Sequence, residues 1–176
     1  MAESLSFESG IEVQRGPVGR LLHWACQGFA LAGGLILLLL INMSLISIIG
    51  RKLFATPIRG DIELMEIGAS IAIAAFLPLC ELRGTHIKVD TFTMKAPQSV
   101  QRGLDAIAHL LCLLAALLLA WRTSLQMLDN MEYGDVSTLL SIPMWIPLSM
   151  IVPSLLLLAL ASAWRLALCL NPGGRP

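Results

Sequence analysis

Long apolar stretches alternate with short polar ones along this 176-residue chain, and their spacing predicts four helices. The first run, over 21–50, carries no Asp, Glu, Lys or Arg and is closed by Arg51 and Lys52. A membrane-crossing helix needs about 20 apolar residues, so this run is long enough to cross. The polar stretch before it holds Glu3, Glu8 and Glu12. A cleaved signal peptide would start basic and have a shorter apolar core, so the first helix is expected to be retained. A turn-rich connector, Ala55-Thr56-Pro57-Ile58-Arg59-Gly60-Asp61, leads into the second run. The expected spans cover 22–50, 62–82, 103–128 and 142–170, with loops over 51–61, 83–102 and 129–141. Pro97 marks the approach to the third helix. Ser141 is expected to cap the fourth, with Pro143 tolerated in its first turn. Pro78 and Pro153 lie inside spans two and four, where kinks or local widening are expected. The fold class read from this pattern is all-α, an integral membrane four-helix protein with one membrane domain over 1–176.

Composition removes the soluble alternatives. Hydrophobic residues make up 56% of the chain and charged ones 14%, against about a quarter charged in soluble domains. Twelve Lys and Arg balance twelve Asp and Glu, so a net basic surface for nucleic acid is not expected. No stretch of soluble composition is long enough to form a separate catalytic domain. Orientation follows from basic residues in the short loops. One side receives eight, among them Arg15, Arg20, Arg83, Lys88 and Lys95, and the other receives Arg51, Lys52, Arg59 and Arg122. Both termini are therefore expected in the cytoplasm. Trp24 and Trp164 would then flank one interface, and Trp121 and Trp145 the other.

Few residues could carry chemistry. Cys26, Cys80, Cys112 and Cys169 include no C-x-x-C pair and read as small apolar filler. His23 and His109 begin helices one and three on the same side, which invites a bis-histidine haem anchor; interfacial histidines are the plainer reading. Glu63 and Glu66 share a helix face with Ser70. Carboxylates inside a span should face protein or water, because facing lipid is costly. They are expected to pair with Arg51, Lys52 or a partner subunit, and an ion or proton site is the alternative. Gly68-x-x-x-Ala72, Ser70-x-x-x-Ala74 and Gly28-x-x-x-Ala32 have the small-residue spacing that lets helices approach closely. Asn42, Ser44 and Ser47 are candidates to hydrogen-bond a neighbouring helix. No inverted repeat, discontinuous helix pair, phosphate-binding loop or nucleophile motif stands out.

One segment is recognisable. Arg51 closes helix one, Pro57 precedes Glu63-Leu64 at the start of helix two, and His86-Ile87-Lys88-Val89-Asp90 follows that helix. Ile142-Pro143-Met144-Trp145 precedes the fourth span. This set resembles the small integral membrane subunit of tripartite ATP-independent periplasmic (TRAP) transporters, the DctQ-like family, from roughly Trp24 to Leu170. Many members have a Trp where this chain has Arg59-Gly60-Asp61, and a basic residue where it has Glu66.

The resemblance implies a non-catalytic transport subunit of the bacterial inner membrane. In that family a periplasmic binding protein delivers a small organic acid to the membrane complex. The large subunit moves it by an elevator motion coupled to sodium, and the small subunit scaffolds that large subunit. The expected partners are the large membrane subunit, the binding protein and membrane lipids, with no nucleic acid. No cofactor is expected, and sodium coupling belongs to the large subunit. Arg51, Glu63, Glu66, His86, Lys88 and Asp90 are the expected structural or subunit-interface residues, with His86 and Asp90 fixing the chain between helices two and three. The alternatives are a small autonomous dimeric exporter using Glu66 and a haem-binding respiratory anchor using His23 and His109.

Overall fold

The computed structural model describes residues 17–54, 60–83 and 98–170, which form four helices with no strand among them. In chain order they are α1 (Pro17–Phe54), α2 (Asp61–Arg83), α3 (Gln98–Tyr133) and α4 (Trp145–Leu170). All four are long and apolar enough to cross a membrane. Lengths of 38, 23, 36 and 26 residues correspond to about 57, 34, 54 and 39 Å at the usual helical rise. α2 and α4 therefore match a bilayer, while α1 and α3 exceed its hydrocarbon core. That excess explains why the apolar runs underestimate them: hydropathy marks where lipid stops, whereas backbone hydrogen bonding continues into the interface.

α4 starts later than the sequence suggests. Residues 142–144 belong to the preceding loop, where Val136 and Pro143 form an isolated antiparallel bridge. The backbone N–H of Ser137 donates to the Ile142 carbonyl at 2.9 Å, and that of Ile142 donates to Ser137 Oγ at 3.1 Å. This pairing holds Ile142 in the loop, and α4 opens at Trp145. Ser141 is not a helix cap but a turn residue at φ 53°.

The helices lie in the order α1–α2–α4–α3, so α4 inserts between the consecutive helices α2 and α3. α1 meets α2 along small residues. A Cβ at Gly33 would lie 2.9 Å from Ala75 Cβ and 3.1 Å from the Ala72 carbonyl oxygen, while Gly68 sits against Leu40. The expected Gly28–Ala32 pair does not take part: nothing lies within 4 Å of a Cβ at Gly28, and Ala32 is exposed. The real contact is five residues beyond Gly28, at Gly33. α3 and α4 share a core of Ala116, Ala120, Leu155, Leu158 and Ala159. A second cluster of Cys26, Leu82 and Ala161 joins α1, α2 and α4. Burial follows the order: 11% of the most apolar stretch of α1 is buried, against 39% for α4. α4 is the centre of the layer, and α1 is bare along most of its length.

α2 runs through Pro78 and α4 through Pro153 without interruption. Proline removes the N–H that the carbonyl four residues earlier would accept. For Pro78 that carbonyl is Ala74, and Ser154 Oγ of α4 donates to it in the buried layer. The neighbouring helix thus repairs the gap that the proline opens.

Candidate functional site

Three of the sequence-derived motif segments meet at one end of the layer. At the close of α1, Ser47 Oγ donates to Asp61 Oδ2 at 2.5 Å, and Arg51 Nη2 donates to the same oxygen at 3.2 Å. Asp61 Oδ1 accepts from the Ile62 N–H at 2.9 Å, as a carboxylate does at the start of a helix. Arg51 is therefore held by Asp61 and not by Glu63 or Glu66, which corrects the pairing expected from sequence. Ser47 bridges to the next helix as anticipated. Asn42 does not, because its Nδ2 donates to Leu38 in its own helix.

Glu63 has a different task. Its Oε2 accepts the backbone N–H of Leu140 at 2.9 Å and of Leu139 at 3.3 Å, and its Oε1 lies 3.5 Å from Thr138 Oγ1. The carboxylate thereby clamps the α3–α4 loop onto the start of α2. Just before it, Gly60 adopts φ 77° and packs on Leu140 so tightly that a Cβ would lie 2.6 Å from Leu140 Cγ. Glu63-Leu64 and Ile142-Pro143, 78 and more residues apart in sequence, therefore belong to one local structure. It is a clamp built from an acid, a left-handed glycine and a short bridged loop.

Glu66 stands apart. It is exposed on the outer side of α2, and the hydrogen bond at this residue uses its backbone carbonyl, which accepts from Ser70 Oγ at 2.7 Å. It does not look into a chamber between helices, as an exporter carboxylate would. His86, Lys88 and Asp90 lie outside the described residues.

A buried pair at the opposite end of α2 escaped the sequence reading. Glu81 and His109 are 2% and 7% exposed, and Nδ1 of His109 donates to Oε1 of Glu81 at 2.7 Å. Cys112, one turn beyond His109, lies beside Glu81 and accepts from Ser162 Oγ at 3.3 Å. The polar chain therefore runs from α2 through α3 to α4. The signal was present in the spacing. Ala74, Pro78 and Glu81 recur at four and three residues, as do His109, Cys112 and Ala116 in reverse order, so each ionisable group sits on a small-residue buried stripe. The haem reading loses its geometry here, since His23 and His109 stand on α1 and α3, the two outer helices of the layer, which do not pack together. Among the described residues no group of three His, Cys, Asp or Glu is placed to hold a metal.

Two surface grooves run along α1. One of about 620 Å³ runs between α1 and α2 past Leu35, Leu38 and Phe76, with Arg83 at its end. Another, of about 460 Å³, lies between α1 and α4 beside Leu21 and Trp164.

Comparison with known proteins gives one family. The description "Tripartite ATP-independent periplasmic transporters, DctQ component" matches residues 40–171, which contain the Arg51–Asp61 contact, the Glu63 clamp and the Glu81–His109 pair. No curated protein and no solved structure matches. With three quarters of its length inside that match, the chain belongs to the DctQ family and is the small multi-pass membrane component of a TRAP transporter.

Proposed function

We propose that this component is a non-catalytic scaffold for the large elevator subunit of its transporter. The complex takes up a small organic acid, delivered by a periplasmic binding protein and driven by sodium, across a bacterial inner membrane. Both termini of the small subunit are cytoplasmic, so the Glu63 clamp lies on the periplasmic side. The observation that carries this reading is the single open layer. Its apolar flanks are bare, while Asp61, Glu63 and Glu81 are tied into contacts within the chain. Such a layer offers a rigid wall for a larger membrane protein to lean on.

Reconstitution tests it. Proteoliposomes containing both membrane subunits, with the binding protein outside, are expected to accumulate the acid only in a sodium gradient. Vesicles with the small subunit alone should accumulate none. Uptake or export by the small subunit on its own would overturn the scaffold reading.

A further inference from the structure

α2 runs from Asp61 to Arg83, about 33 Å between its charged ends, close to the ~30 Å of hydrocarbon in a bilayer. Glu66 stands five residues from Asp61, roughly 8 Å down the axis, and so lies within the hydrocarbon. The other acids of α2 are engaged inside the chain, Asp61 with Ser47 and Arg51, Glu63 with the α3–α4 loop, and Glu81 with His109. Glu66 points outward, and its carboxylate has no partner among the described residues. It is flanked on the same side of α2 by Ile62 at 64% exposure, Ile73 at 61%, and exposed Ser70. Neither neighbouring helix uses this side: α1 packs on Gly68, Ala72 and Ala75, and α4 reaches Ala74.

Lipid tails cannot satisfy a carboxylate at this depth, and burying it unpaired against them is costly. A second copy of the same face would set Glu66 against Glu66, two like charges in a low-dielectric setting. A helix bearing a guanidinium or ammonium group meets the requirement, with Ile62 and Ile73 sealing the pair from water. The groove between α1 and α2 continues the surface, because Phe76 in its wall is one turn beyond Ile73. We propose that the side of α2 formed by Ile62, Glu66, Ser70 and Ile73 docks a transmembrane helix of the large transporter subunit. That helix carries an Arg or Lys level with Glu66. This rests on the scaffold reading above and adds the face and the chemistry of the contact.

Co-purification of the tagged chain with the large subunit tests it. Glu66→Lys should cut recovery of the large subunit by at least about tenfold, since it sets two cations against each other. Thermal unfolding of the full chain in detergent should not change, because Glu66 supports nothing within it. Exchanging to Glu one of the large subunit's Arg or Lys residues at this depth should restore recovery in the Glu66→Lys background. Full recovery and full uptake with both Glu66→Lys and Glu66→Ala would overturn the docking face while leaving the scaffold intact. Failure of the unmodified chain to retain any large subunit would instead overturn the scaffold reading. A Glu66→Lys chain that merely loses self-association would assign the face to a second copy and overturn the proposal.

Discussion

The most informative residues are those that make a costly neighbour tolerable. Pro78 would leave the Ala74 carbonyl unsatisfied inside the layer, and Ser154 donates to it from α4. Burying an unpaired carbonyl costs about 1–3 kcal/mol. Ser154→Ala is therefore expected to lower the unfolding midpoint of the chain in detergent. In a Pro78→Ala background the helix regains its own N–H, so the same change should cost far less. Equal losses in the two backgrounds would rule out the repair. The proline itself was visible in sequence, and so was the expectation of a disturbance there. Its remedy was not, because Ser154 is 80 residues away. Glu81 and His109 were hidden for the same reason: an acid near a helix end and a lone histidine look interfacial until packing brings them to 2.7 Å. Breaking one side of such a buried pair strands the other, and that loss usually exceeds what the intact pair contributes.

At the level of elements, helix existence was legible and helix ends were not. Apolar runs long enough to cross a membrane identify α1 to α4, but α1 and α3 continue past the point where hydropathy falls, and α4 waits for Trp145. The delay of α4 follows from the clamp, in which Glu63 and the glycine before it hold the loop that would otherwise have begun the helix. Gly60 is the sensitive point. Ala there would strain a left-handed backbone by about 1–2 kcal/mol and press against Leu140 as well. Gly60→Ala should detach the loop from α2, read as faster proteolysis within residues 134–144, with all four spans still inserted. A loop as resistant as before would show that Glu63 holds it without help from the tight approach.

Across the whole molecule, four spans in a membrane followed from composition and pattern, but their order did not. Hydrophobic periodicity says that a helix is buried in lipid or protein without naming its neighbour, and long apolar faces such as that of α1 are nearly uniform around the axis. Only contacts between residues far apart in sequence, Ser154 of α4 with Ala74 of α2 and the core that α4 shares with α3, reveal that α4 stands between α2 and α3. That insertion has a consequence for how the protein is made. The helix that stands between α2 and α3 leaves the ribosome after all three of the others. Until it arrives, α3 has no neighbour to pack on, and His109 has nothing to hold it beside Glu81. A chain stopped after residue 141 should therefore insert three spans yet be degraded much faster than the full chain, which a pulse-chase of membrane fractions would measure. Equal lifetimes would mean that α1 to α3 find another arrangement. Quality control of this subunit thus falls at α4: insertion alone leaves three spans in the bilayer, and only the arrival of α4 makes them one layer.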